Sequence, residues 1–341
     1  MQKLINPNTN EVLYGKIDDH IVINYQDYKL KSIFDKNLPK IIQKFRFHKF
    51  NFIMIITDTH LLGLGIVGLT YISDIFLFSY CFKTNDYLEI EKKVPFEFNL
   101  KYPIDAENFK IEYNTKSEKL IIEKNKALST LNIFADFPHN FYIEGNFAYG
   151  TKINNPLRIC SPNGVNCWTF TEKCTGIEPK SLKLKLNDKQ INPDLSKTTL
   201  LYDWSCGYMK RLTNWNWAAF SAADPRLKMT LGGNFASFIN ETYTTENAYW
   251  IDHKIFKINQ IIFNFEENNP DKRWEIISDD KKVNLKFIPI KKRVQKLNLG
   301  FLKIYFRQYL GTFSGSLYTD DKTEFQFENA WGVTEIQRAL W

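Results

Sequence analysis

Short runs in which apolar and polar residues alternate recur along almost the whole chain, each closed by a few polar residues, and this pattern constrains the fold more than any other feature. FKIEY (109–113) and KLIIE (119–123) flank the polar loop NTKSE, which has the length and composition of a hairpin turn. SLKLKLNDKQ, NWNWAAFSA, RWEIIS, VNLKFIPI and TEFQFENAWG continue in the same way further on. Roughly twenty strand candidates follow from this reading. No sustained helical period accompanies them; Phe34, Ile42 and Phe45 suggest one short amphipathic turn limited by Pro39, and VTEIQRAL (333–340) carries the other helix signal. Parallel sheets need crossover helices, so the expected class is all-β and antiparallel. The 28 Phe and 17 Tyr, against 4 Met, agree with strands rather than helical bundles.

Meanders with short turns close as sandwiches or as up-and-down barrels. For 341 residues the expected arrangement is two antiparallel lipocalin-like (calycin-like) β-barrels in tandem. Residues 1–160 would hold a lead-in and the first barrel, and 161–341 the second, with the junction inside the Gly-, Pro- and Asn-rich stretch 139–180. The most apolar region, 50–82, carries Asp58, His60 and Asp74, and its uncharged part, 61–73, is too short to span a bilayer. It reads as three hairpin strands, with LGLGIVG (62–68) marking a bulge or a close approach between strands.

The formal charge of +7, spread over 45 basic and 38 acidic side chains, is read as a matter of solubility, with no nucleic-acid partner expected. The start of the chain lacks a secretory pattern, and 5 cysteines, an odd number, suit free thiols, so a cytoplasmic protein is expected. Cys160, Cys167 and Cys174 recur every seven residues without the close pairs that zinc sites use, so no metal is assigned. No nucleotide-loop, dinucleotide or hydrolase motif occurs, and no cofactor is expected.

The most chemically specific stretch is YDWSCGYMKRLTNWNW (202–217). On a strand, Trp215 and Trp217 share one face and form either core or the wall of an apolar pocket, here placed in the second barrel. Asp203 and Arg211 are the nearest groups able to orient a ligand. Glu246 and Asn247, in the loop ETYTTENA, and Trp250 on the strand after it complete the candidate ligand-binding set. His253, beside Asp252, reads as a solvated turn residue, and KKVNLKFIPIKKRVQK as a strand with a solvated basic face.

Six motifs stand in a recognisable order: Asp203 and Gly207 followed by Trp215 and Trp217; LGGNF (231–235); TTENAYWIDHK (244–254); KFIPIKKR (286–293); LGTFSGSL (310–317); and AWGVTEIQRALW (330–341). Together they resemble the bacterial family of domain of unknown function 2804. More distantly the chain is similar to tandem lipocalin-like proteins that include carotenoid hydratases, although Trp204, Ser205 and Cys206 follow Asp203 where those proteins are histidine-rich. The resulting expectation is a binding module for a hydrophobic small molecule, lipid or isoprenoid-like. One alternative is a hydratase- or isomerase-like enzyme using Asp203 as general acid or base; another is a structural or interaction protein with filled barrels.

Overall fold

A computed structural model of the chain describes residues 2–18, 20–138, 141–150, 152–224 and 229–341. Among them the only α-helix is Lys40–Arg46. Pro39 sits at its N-terminus without a side-chain cap, and the aromatic Phe47 opens a strand directly behind it. Most of the rest is strand, and every ladder of the three large sheets is antiparallel. The two-residue pair of Gln2–Lys3 with Ile21–Val22 is parallel.

The first large sheet has eight strands, in spatial order Gly15–Lys16, Leu157–Gly164, Cys167–Ile177, Thr199–Tyr208, Phe47–Ile56, His60–Gly68, Ile72–Cys81 and Tyr87–Pro95. The apolar stretch 50–82 thus forms three successive hairpin strands. Its glycines serve a close approach: Gly63 pairs with Phe78 and Gly65 with Phe76, and a Cβ on either would lie 2.1 or 2.0 Å from the facing ring. The seven-stranded sheet runs from Lys189–Ile191 through Pro179–Leu186, Phe141–Ala148, Thr130–Phe137, Lys119–Asn125 and Phe109–Asn114 to Leu100–Lys101. These two sheets share one large core, which includes Trp168, Phe170, Tyr202, Trp204, Ile111 and Phe147.

The nine-stranded sheet orders Lys254–Lys257, Ala248–Ile251, Met229–Ser237, Leu212–Asp224, Glu324–Leu340, Lys303–Tyr318, Val283–Asn298, Trp274–Ser278 and Ile261–Asn264. It curls around its own core of Phe220, Phe235, Tyr249, Trp274, Phe287 and Phe313.

The chain passes from the eight-stranded to the nine-stranded sheet at Met209–Arg211: Cys167–Ile177 pairs with Thr199–Tyr208, which in turn pairs with Phe47–Ile56. Within the Gly-, Pro- and Asn-rich stretch 139–180, Leu157–Gly164 and Cys167–Ile177 form a largely buried hairpin that turns at Asn166 with φ 55°. The segment VTEIQRAL is strand, because its residues pair on both sides, Ala218 with Thr334 and Gln308 with Glu335. Sheet pairing overrides the weak local helical preference.

The eight- and nine-stranded sheets meet face to face. Met54, Phe76, Phe78, Leu201, Trp217, Ala219, Leu310 and Val333 form one cluster between them, and Leu69, Met209, Leu302 and Trp341 a second. Each large side chain buried there contributes about 1.5–3 kcal/mol relative to exposure. Among the described residues no helix is long and apolar enough to cross a membrane.

Candidate functional site

Strand alternation decides what faces the seam between the two sheets. On Thr199–Tyr208, Leu200, Tyr202, Trp204 and Cys206 point into the core shared with the seven-stranded sheet, which turns Leu201, Asp203 and Ser205 the other way. On Cys167–Ile177, Trp168, Phe170 and Cys174 take the core side and Lys173 the seam. On Leu212–Asp224, Ala218 and Phe220 enter the nine-stranded core, while Trp217 and Ala219 join the seam. The tryptophan pair therefore lies on the outer face of its own sheet, and the cavity it lines is between two sheets rather than within the core that the nine-stranded sheet encloses.

That cavity measures about 150 Å³. Its walls are mostly aromatic and aliphatic, with Phe50, Phe52, Phe76, Trp215, Trp217 and Trp341 the largest contributors. The indole of Trp341 lies 6.1 Å from that of Trp215 and 5.7 Å from the ring of Phe50. Polar groups enter at three places.

At the first, Lys173 donates to Asp203 and lies 3.7 Å from Glu246 Oε1. Asn240 Nδ2 donates to Glu246 Oε2 at 2.9 Å. All three charged groups are largely withdrawn from water, with side-chain exposures of 5%, 14% and 7% for Lys173, Asp203 and Glu246. Burial works against the Lys173 ammonium, but the Asp203 and Glu246 carboxylates outweigh it and hold the pKa above the usual lysine range. For Glu246 burial is the larger effect, and its pKa rises despite Lys173.

At the second, Glu335 accepts from Gln308 Nε2 at 2.7 Å and from Trp215 Nε1 at 3.1 Å. Burial pushes its pKa up to about 7, the negative charge of Asp203 adds to the rise, and the two hydrogen bonds oppose it. Near neutrality this carboxyl is a poised proton donor. The third group joins Asp74, Lys93, Gln295 and Arg293. Lys93 Nζ is 2.8 Å from Asp74, and the buried Arg293 guanidinium lies 3.9 Å above the Phe76 ring while pairing with Glu89. Burial raises the Asp74 pKa in spite of Lys93. Arg293 belongs to the run read as a solvated basic face, and of that run's basic side chains it alone is buried.

Several buried acceptors on the cavity wall have no hydrogen-bond partner: Asn51 Oδ1, Asp74 Oδ1, Asn240 Oδ1 and Gln337 Oε1. Each such atom costs about 1–3 kcal/mol until something donates to it.

The residues singled out in the sequence divide into two groups. Asp203, Trp215, Trp217 and Glu246 come together on the cavity wall. Arg211, Asn247 and Trp250 do not. Arg211 is exposed, and its guanidinium donates to the Phe301 carbonyl at 3.4 Å. Asn247 pins the loop, its Oδ1 accepting from Ala236 N at 2.6 Å and its Nδ2 donating to Asn259 O at 3.0 Å. Trp250 is buried with Leu157 and Ile159 in a separate contact between the sheets and donates to Asn155 O at 3.0 Å. Lys173, Glu335, Arg293 and Trp341, none of them among the site residues read from the sequence, line the same cavity. Glu335 was detectable: once 333–340 is strand, Val333, Glu335, Gln337 and Ala339 form one face.

The fold and site define an antiparallel all-β protein with a partly charged aromatic cavity between two packed sheets. The family described as Domain of unknown function (DUF2804) matches residues 21–341, and the chain belongs to it. Among solved structures, kievitone hydratase from Nectria haematococca is similar over 85% of this chain and 88% of that chain, at 13% identity and a TM-score of 0.49. The WD40 domain of SCAP from fission yeast covers 85% of this chain and 74% of its own, at 9% identity and a TM-score of 0.16. No curated protein matches the chain.

Proposed function

We propose that the protein binds an apolar small molecule, lipid or isoprenoid-like, that carries a hydrogen-bond donor such as a hydroxyl, in the cavity between its eight- and nine-stranded sheets. The observation that carries this reading is the combination, in one largely aromatic cavity, of residues with unpartnered buried acceptors and the carboxyls of Asp203, Glu246 and Glu335. Such a lining rewards a neutral donor, and with Lys93, Lys173 and Arg293 already paired to carboxylates it disfavours a further one. A space of about 150 Å³ matches a ring-sized group. A longer ligand then leaves its tail at the mouth, where Phe50, Val67, Ile72, Trp215, Leu297 and Ile304 are partly exposed. We read the two halves as related lipocalin-like barrels in a cytoplasmic protein, with the ligand held at their joint.

Three tryptophans on the wall make fluorescence the direct test. Retinol and farnesol should quench or shift the emission, and retinoic acid should bind on the order of tenfold more weakly than retinol, the cost of one repelled charge in a partly buried site. Equal indifference to alcohols and acids would overturn the proposal.

Glu335 favours a second reading, an isomerase- or hydratase-like enzyme. A carboxyl with a pKa of about 7 can protonate one carbon of a double bond, while Asp203, held by Lys173, takes a proton from the allylic carbon or from a water that adds. Asp203→Asn separates the readings: retained binding with lost turnover identifies an enzyme, and a ligand left unaltered by the native protein identifies a carrier.

A further inference from the structure

Five segments meet at the mouth of the cavity, and their contacts form a continuous chain. Thr70 Oγ1 donates to Lys44 O at 3.1 Å, joining the Gly68–Ile72 turn to the helix Lys40–Arg46. Arg46 Nη2 donates to Met209 O at 3.3 Å, which ties the helix to the crossing between the sheets. Phe96 N donates to Tyr71 O at 3.1 Å, bringing in the 95–99 turn. Arg211 Nη2 donates to Phe301 O at 3.4 Å, and the Tyr71 and Phe301 rings lie 6.2 Å apart, which brings in the 298–302 turn. Leu69, Ile72, Met209, Leu297 and Leu302, from these same segments or beside them, line the cavity behind.

This end of the molecule presents large apolar side chains to solvent at its tips. Ile41, Phe96, Phe98, Leu212, Leu299 and Phe301 are between 50% and 74% exposed. Their segments carry Lys40, Lys44, Arg46, Lys210 and Arg211, with Lys303 adjacent, against a single acidic side chain, Glu97, which is itself engaged by Lys49. Exposed tips are costly in water unless something covers them, and here they stand inside a basic ring. Apolar side chains that reach into an acyl boundary, flanked by cations that meet anionic headgroups, are the two elements of peripheral membrane attachment.

We infer that this rim docks on an anionic phospholipid surface, so that the cavity mouth opens against the acyl region from which an apolar ligand enters or to which it returns. The role of the docking rests on the binding reading given above; the docking itself rests on the rim alone. Charge complementarity and continuity with the mouth favour a bilayer over a second copy of the chain, whose identical rim would bring two basic rings together.

The test is flotation of the full chain with vesicles of phosphatidylcholine alone and of equal parts phosphatidylcholine and phosphatidylserine. The native protein should float with the mixed vesicles and far less with the neutral ones, and the difference should shrink in high salt. Phe96→Asp with Phe301→Asp should weaken partitioning on the order of tenfold or more, because two buried rings become two repelled charges. Leu128→Asp, at an exposed apolar residue of a distant turn, should leave it unchanged. Native protein that fails to float, or that floats equally well after the double substitution, overturns the inference. Light scattering that shows a dimer abolished by the same pair of substitutions, without vesicle binding, assigns the rim to self-association instead. Ligand-free protein is used throughout, so a failure to float leaves the cavity reading intact, and a failure of retinol to bind leaves the flotation result intact.

Discussion

Replacing Glu335 by Gln isolates the electrostatic character of the cavity. The folded-state pKa of Glu335 is raised from 4.5 to about 7, so between those values the folded protein holds a proton that the unfolded chain has released. Stability must then fall as pH rises through this window and be lost in full above about 7. At about 1.4 kcal/mol per pH unit the interval amounts to roughly 3 kcal/mol. An unfolding entropy of about 2.1 cal/mol/K per residue over 341 residues gives roughly 0.7 kcal/mol/K, hence a Tm effect of about 4–5 °C. Calorimetry at pH 5 and pH 8 should show the native protein losing that much more Tm than Glu335→Gln across the interval. The variant sacrifices one acceptor to Trp215 or Gln308, but that offset is independent of pH and cancels in the comparison. Equal pH dependence in the two proteins, within about 1 °C, would show that Glu335 is not a buried carboxyl held protonated, and the acid-base reading of the cavity would fall with it.

Lys173→Met leaves Asp203 and Glu246 buried without their cation, a loss of about 3–5 kcal/mol or roughly 4–7 °C in Tm at pH 8; adding Asp203→Asn should restore part of it, and an unchanged Tm in the single variant would place the cluster in water. Gly63→Ala sets a methyl against the Phe78 ring, 2.1 Å from its nearest atom before relaxation, and should lower the denaturant midpoint by the equivalent of about 1–3 kcal/mol at constant slope.

The fold class was legible because a period of two is a local property that short windows reveal, as in FKIEY, where Phe109, Ile111 and Tyr113 are all buried. The division between sheets was not. Its evidence is long-range pairing, Asp203 with Phe52 and Lys173, which no local composition encodes. Trp215 and Trp217 could be placed on one face but not assigned to one of two possible sides, since Trp217 and the oppositely directed Ala218 are both buried. Glu335 was hidden by a segment whose residues suit a helix as well as a strand. Lys173 stands in the stretch 139–180 whose composition suggests no strand; only the register opposite Asp203 gives it a partner.

The cavity at the seam of the two sheets should hold an apolar molecule. Native mass spectrometry of protein purified from its own host tests this without any choice of ligand, with Ala236→Phe, a substitution on the cavity wall, as the control that fills the space. The native chain should carry a small non-covalent mass above its 40.3 kDa, and the filled variant should be bare. A native chain that is itself bare, together with tryptophan emission indifferent to every alcohol offered, would contradict the account.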